Sequence, residues 1–109
     1  MCPAQSKLLR RGRFSEPGRF YLLTTITHQR IPLFHDFHLA RQVVRQLRLS
    51  DHNQDCRLLA WVVMPDHLHW MLQLGNSLSL SRVVQQMKSF SAHAAGTALW
   101  QPGFHDRYR

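Results

Sequence analysis

Two apolar segments joined by Pro65 and Asp66 constrain the fold of this chain more than any other feature. The first runs from Cys56 to Met64 and the second from His67 to Leu74. Runs of this length, broken by a short polar turn, predict a β-hairpin. The nearly continuous apolar character of the first run predicts a strand that is covered on both faces. We therefore expect an antiparallel sheet built around this hairpin.

Predicted elements on either side of the hairpin complete an α+β pattern. Residues 20–27 are rich in aromatic and β-branched side chains and predict a strand, and residues 36–50 predict a helix. A second helix follows the hairpin, and residues 100–109 offer a further short strand. The helix boundaries rest on the cap residues Asp36, Ser77 or Ser79, and Gly96. The order β-α-β-β-α, with or without a last β, predicts a ferredoxin-like sandwich, an antiparallel sheet with both helices on one face.

Helical spacing predicts which faces of the two helices meet the core. Apolar positions recur every three or four residues, as on one face of an amphipathic helix. The predicted core positions are Phe37, Ala40, Val44 and Leu47 in the first helix and Leu80, Val83, Val84, Met87, Phe90 and Ala94 in the second. Arg41, Arg45 and Arg48 share another face of the first helix, which is either a solvated face or a nucleic-acid contact.

Chain length and cysteine content bound the class of protein. With 109 residues, of which 44% are hydrophobic, the chain fits one small domain with a packed core. Cys2 and Cys56 are the only cysteines, which argues against a disulfide and suits a reducing compartment. No apolar stretch approaches the roughly 20 residues that span a bilayer, and the N-terminus lacks the apolar core of a secretory signal. We expect a cytoplasmic protein without membrane contact.

A formal net charge of +8 predicts a polyanionic partner, chiefly nucleic acid. Basic residues are concentrated in residues 1–19, an arm that precedes a domain spanning residues 20–109. The arm is either a solvated tail or a segment that grips phosphates. The candidate nucleic-acid-binding residues are Arg10, Arg11, Arg13 and Arg19 of the arm and Lys88 of the second helix.

His67 and His69 are two residues apart on the second strand of the hairpin. Alternate side chains of a strand lie on one face, so both imidazoles share a face. The large apolar residues Leu68, Trp70 and Leu72 then lie on the opposite face, under the helices. Such a pair is either the start of a metal site or two polar residues on a half-exposed strand. A complete metal site needs at least one more ligand.

The identity of the ion and of the missing groups stays open at this point. Zinc, copper, nickel or iron accept two imidazoles readily, whereas magnesium and manganese need phosphate oxygens to complete their shell. With His105, which follows a predicted turn, His67 and His69 would form a zinc-stabilised site. Cleavage of a phosphodiester also needs a nucleophile, either a metal-bound water or a tyrosine. Tyr21 and Tyr108 are the only tyrosines, and Tyr108 is a weak candidate.

Residues 64–69, Met-Pro-Asp-His-Leu-His, resemble the histidine-hydrophobic-histidine (HUH) motif of single-domain Y1 tyrosine transposases of the IS200 type. Within that group the chain is more similar to the REP-associated tyrosine transposases. Residues 11–18 leading into residues 21–25, residues 30–34 and residues 100–106 resemble further motifs of this family, in the family's order. The resemblance covers nearly the whole chain.

The resemblance implies a ferredoxin-like fold and metal-dependent cleavage of single-stranded DNA at hairpins of repetitive extragenic palindromes. It implies that His67 and His69 are metal ligands, with Mg²⁺ or Mn²⁺ as the expected ion. In the family a tyrosine attacks the phosphate, forms a covalent 5′-phosphotyrosine link and frees a 3′-hydroxyl for strand transfer. The expected partner is single-stranded or hairpin DNA, and a homodimer is compatible with this function.

The family carries its catalytic tyrosine on a helix downstream of the Phe-His-Asp segment, in a Tyr-Ile-x-x-Asn-Pro context that also offers a polar third metal ligand. The sequence ends at Arg109, before such a helix, and Tyr108 falls too early to align with it. We therefore expect a truncated member of the family, either a fragment or a decayed gene product. The alternative function is nucleic-acid binding without cleavage.

Overall fold

The strands and helices follow the predicted order. The computed structural model describes residues 15–108, except for the side chains of residues 107 and 108. Its elements are β1 (Phe20–Ile26), α1 (Phe37–His52), β2 (Cys56–Met64), β3 (His67–Leu74), α2 (Leu80–Ala95) and β4 (His105–Tyr108). Two short 3₁₀ turns, His28–Arg30 and Leu33–His35, connect β1 to α1.

The strands form one antiparallel sheet in the order β2-β3-β1-β4. The buried side chains of the sheet pack against both helices, so the core lies between the sheet and the helix layer. Leu47 of α1, Trp70 of β3 and Met87 of α2 are each at most 1% exposed. The predicted ferredoxin-like α+β sandwich is therefore confirmed. Within residues 15–108 no helix covers the opposite side of the sheet, and we call this side the open face.

The β2–β3 hairpin has the predicted bounds. Met64 pairs with His67 directly across the two-residue turn. The buried residues of β3 are Leu68, Trp70, Leu72 and Leu74. This alternation confirms which face of β3 meets the helices. The buried Trp70 indole donates a hydrogen bond from Nε1 to Thr25 Oγ1 at 2.8 Å, so its polar group is satisfied inside the core.

Cap residues fix the ends of both helices. The Asp36 side chain accepts a hydrogen bond at 2.9 Å from the amide two residues later. Ser79, and not Ser77, caps α2, accepting from the amide three residues later at 3.2 Å. Gly96 ends α2 in the left-handed conformation with a φ of 73°, which suits a residue without a Cβ. Neither helix of the described part is long and apolar enough to cross a membrane.

The prediction that β2 is covered on both faces is wrong. β2 lies at the edge of the sheet, beside β3. Its exposed large apolar residues are Leu59 at 40%, Trp61 at 36%, Val62 at 55% and Met64 at 39%. A run of apolar residues indicates a strand but does not give its place in the sheet, because strand order depends on pairing with distant segments. The register also shifts between Leu58 and Ala60, as at a β-bulge.

Three predicted core positions of the helices are wrong. The exposed residues are Phe37 at 72%, Phe90 at 55% and Ala94. In α1 the fully buried positions are Val43 and Leu47. In α2 the core stripe continues from Met87 to the buried Ser91, whose hydroxyl accepts a hydrogen bond from Trp100 Nε1 at 3.0 Å. The buried Ser91, which accepts this hydrogen bond, thus takes the core position that helical spacing predicts for Phe90.

Candidate functional site

His67 and His69 lie side by side on the open face, as the strand pattern predicts. Their Nε2 atoms are 3.0 Å apart. The rings meet edge to face, with centroids 4.5 Å apart and an interplanar angle of 81°. Both rings are reachable from solvent: the side chain of His67 is 21% exposed, and His69 is exposed. The two Nε2 atoms therefore converge in front of the sheet.

The His67 ring is held from behind by Asp66, the second residue of the hairpin turn. His67 Nδ1 lies 2.7 Å from Asp66 Oδ1, and the other carboxylate oxygen lies 3.3 Å from an Arg30 guanidinium nitrogen. The hydrogen bond to His67, with the Arg30 charge adding to it, lowers the pKa of Asp66 below its usual value. The Asp66 carbonyl accepts bonds from the amide and the hydroxyl of Thr27, each at 3.0 Å, which ties the turn to β1.

The His69 ring is held by a different element. Thr24 of β1 pairs directly with His69 of β3, and its Oγ1 lies 3.0 Å from His69 Nδ1. Sequence reasoning did not identify Thr24, Asp66 or Arg30 as site residues. Asp66 was detectable, because a carboxylate beside a metal-binding histidine is a common orienting partner. Thr24 could not be identified from the sequence, because its contact with His69 depends on the β1–β3 register.

The spacing of the two imidazoles suits one divalent ion. An octahedral ion bound at about 2.1 Å holds neighbouring ligand atoms about 3.0 Å apart, and a tetrahedral ion at that distance holds them about 3.4 Å apart. The Nε2 atoms of His67 and His69 are 3.0 Å apart, a hydrogen-bond distance that lies close to both of these spacings. When both rings donate from Nδ1, both Nε2 lone pairs are available to an ion.

Within residues 15–108 no third histidine, cysteine, aspartate or glutamate is placed to bind a metal ion together with the pair. His105 pairs with Thr24, which in turn pairs with His69 on its other side. Two strand spacings, roughly 10 Å, therefore separate the backbone of His105 from that of His69. The three-histidine zinc site considered from the sequence is absent from the described part. Oxygens of water or of a bound phosphate are the ligands left to complete an octahedral shell.

Tyr21 is not placed to act as a nucleophile at this pair. It is 2% exposed and lies on the helix side of β1, opposite the buried Leu72. Its hydroxyl accepts a hydrogen bond from the Glu16 amide at 2.9 Å, and burial raises its pKa. Tyr108 pairs with Tyr21 in the β1–β4 register, and its side chain lies outside the described part.

The candidate nucleic-acid-binding residues differ in their structural environments. Arg10, Arg11 and Arg13 lie outside the described residues. Arg19 forms an ion pair with Glu16. Lys88 is half-buried, and its Nζ donates to the carbonyl oxygens of Gln101 and Gly103, each at 2.7 Å. Burial lowers the pKa of Lys88. In this structure Lys88 ties α2 to the loop before β4.

Comparisons with known proteins agree on one family. A sequence model described as "Transposase IS200 like" matches residues 20–105. The structure of a REP-associated tyrosine transposase bound to a REP hairpin matches with a TM-score of 0.75 and 21% identity, covering 89% of this chain and 59% of that chain. A candidate transposase from Deinococcus radiodurans R1 matches with a TM-score of 0.68 and 25% identity, covering 81% of this chain and 76% of that chain. No curated protein sequence matches. This chain thus spans less than two thirds of the hairpin-bound relative.

Proposed function

Because the chain belongs to the IS200-like transposase family, we propose that it is a DNA-binding domain that acts on single-stranded or hairpin DNA at its open face. His67 and His69 hold one divalent ion, Mg²⁺ or Mn²⁺, against a phosphate of the DNA. The reaction we propose is metal-dependent cleavage followed by strand transfer at hairpins of palindromic repeats.

The convergence of the two Nε2 atoms carries the metal part of the proposal. Each ring has its own partner, Asp66 or Thr24, so the pair is oriented before any ion binds. Transposases of this family are generally metal-dependent. A bound divalent ion polarises a phosphoryl oxygen and stabilises the charge that develops on it. The protein's own contribution is to fix the rings and to present Nε2 of both toward the DNA.

Charge and surface composition support the DNA part. The net charge is +8, and one structural relative is bound to a REP hairpin. Exposed apolar side chains share the open face with the histidine pair: Phe20, Leu22, Val62, Met64 and Met71. Apolar and aromatic surface beside phosphate-binding groups is what unstacked bases of a single strand require.

DNA binding without cleavage is the alternative. One observation favours it: among the side chains that the structure describes, no tyrosine lies on the open face, because Tyr21 is buried on the other face. Within the 109 residues of this chain, the nucleophile for cleavage would be Tyr108 or a water molecule. The two functions share the histidine pair and differ only in whether the DNA strand is cut.

A gel experiment distinguishes these functions. The chain is incubated with 3′-labelled hairpin DNA and Mn²⁺, and samples are run on native and denaturing gels. A labelled covalent adduct that Tyr108→Phe abolishes indicates cleavage by tyrosine, and a cut strand without an adduct indicates water. Mn²⁺-dependent binding without a cut supports the alternative. No DNA binding at low salt contradicts both functions. A His67→Ala/His69→Ala variant tests whether the Mn²⁺ dependence requires the histidine pair.

The proposal includes a division of the chain into a basic arm, residues 1–19, and a domain, residues 20–109. Deleting residues 1–13 should weaken hairpin binding and leave the thermal unfolding of the domain unchanged, because the arm contributes phosphate contacts. Unchanged affinity would make it a solvated tail. A homodimer and a cytoplasmic location are further parts of the proposal, and sedimentation velocity distinguishes the dimer from a monomer.

A further inference from the structure

The outer face of α1 forms a basic surface on the helix side of the sheet, away from the histidine pair. Phe37, Arg41, Arg45, Arg48 and His52 recur every three or four residues and are all exposed, so they share one face of the helix. We call these five residues the basic face of α1. Their side chains border an open surface depression of about 740 Å³ that is lined by α1 alone. Arg41 and Arg48 are about 10 Å apart along the helix axis.

The arginines of this face lack acidic partners within the described part of the chain. None of Arg41, Arg45 and Arg48 lies within ion-pair distance of a carboxylate there. Two of them instead lie near aromatic rings. The Arg41 guanidinium carbon is 5.7 Å from the centre of the Phe37 ring, and that of Arg48 is 5.9 Å from the Trp61 ring. The surface therefore combines positive charge that the fold leaves unneutralised with reachable aromatic rings.

This combination fits a single-stranded nucleic acid better than other polyanions. Phosphates satisfy the guanidinium groups, and bases stack on rings only when they are unpaired. Phe37, at 72% exposed, has no core role that would account for a large aromatic side chain at the start of α1. A duplex stem or an acidic peptide would use the arginines and leave the rings unused.

The edge strand β2 connects this surface to the open face. Trp61 pairs with Trp70 and lies on the helix side, whereas the next residue, Val62, pairs with His69 and lies on the open face. We propose that the basic face of α1, with Trp61, binds a single-stranded segment of the same DNA after it passes over the β2 edge from the histidine pair. This inference rests on the proposed function, because it assigns a second contact to DNA held at the open face.

Fluorescence anisotropy with a labelled hairpin carrying a long single-stranded tail tests the inference on the full chain. Each lost single-strand phosphate contact reduces the log–log salt slope by about 0.7, so Arg45→Gln should weaken binding roughly fivefold at 0.1 M salt. Arg41→Gln/Arg45→Gln/Arg48→Gln should reduce the slope by about 2. Arg82→Gln, an exposed arginine on α2, is the matched control for a lost charge, and Phe37→Leu tests stacking without a change in charge.

The outcomes separate this inference from the proposed function. Loss of affinity in the triple variant and in Phe37→Leu, confined to tailed hairpins and absent with blunt ones, supports it. An equal loss on blunt hairpins overturns it in favour of stem binding. If the wild-type chain binds tailed hairpins and the triple variant binds them no more weakly than Arg82→Gln does, this inference alone is overturned. A wild-type chain that binds no DNA overturns both, and circular dichroism establishes that each variant is folded.

Discussion

The Nε2 atoms of His67 and His69 lie 3.0 Å apart, within hydrogen-bond distance of each other, and a different element contacts each ring from behind. The hairpin turn supplies Asp66 to one ring, and β1 supplies Thr24 to the other. The pair is thus oriented by one local contact and by one contact that exists only in the folded sheet.

Asp66→Asn should weaken Mn²⁺ binding by roughly 10- to 100-fold, because the carboxylate that orients and polarises His67 is lost. Thr24→Val should weaken it in the same direction by releasing the His69 ring. Thr25→Val is the matched control, since the neighbouring Thr25 is buried on the other face. The free-ion electron paramagnetic resonance signal measures the affinity. Equal affinity in wild type and Asp66→Asn would show that the turn does not orient the site.

Thr25→Val should instead lower the free energy of unfolding by about 1–3 kcal/mol, because the buried Trp70 indole N–H loses its acceptor. Urea unfolding measures this loss. Adding Trp70→Phe removes the unsatisfied donor, so the double variant should lose less than the sum of the two single variants. Additive losses would indicate that the hydrogen bond contributes nothing beyond packing.

Parts of this fold follow from local sequence and parts do not. The bounds of β2 and β3 are predicted because a two-residue turn separates two apolar runs, and the face of His67 and His69 follows from strand alternation. The edge position of β2 and the Thr24–His69 contact could not be predicted, because both depend on which distant strands pair. Helical spacing of apolar residues predicts a core position for Phe90, whereas Ser91 takes that place because its hydroxyl accepts a hydrogen bond from Trp100, nine residues later in the sequence.

Lys88→Met should destabilise the fold by about 1–2 kcal/mol, because the ammonium group donates to two carbonyl oxygens of the loop before β4. Arg82→Gln on the exposed side of the same helix should change stability by less than about 0.5 kcal/mol. Thermal unfolding compares the two. A Lys88→Met variant that loses DNA affinity at unchanged stability would identify Lys88 as a DNA contact and not as a loop tie.

Cys56 should resist alkylation in the folded chain, because burial raises the pKa of its thiol to about 12. The unfolded thiol ionises near its ordinary value of 9.0, so the folded state binds more protons above that pH. The contribution of Cys56 to stability is therefore complete below pH 9 and is lost as pH rises toward 12. Iodoacetamide labelling of a Cys2→Ser variant at pH 8, with and without urea, measures how far folding protects the Cys56 thiol. Rapid labelling of the folded chain would contradict the burial of Cys56.

Pulsed electron paramagnetic resonance of Mn²⁺ bound to the chain with hairpin DNA tests the central claim most directly. In ¹⁵N-labelled protein with unlabelled DNA, the account predicts ¹⁵N coupling from imidazole nitrogens, because His67 and His69 are direct ligands. The coupling should vanish in a His67→Gln/His69→Gln variant that is shown to be folded. Mn²⁺ bound to the wild-type complex without any ¹⁵N coupling would contradict the claim that this histidine pair holds the ion.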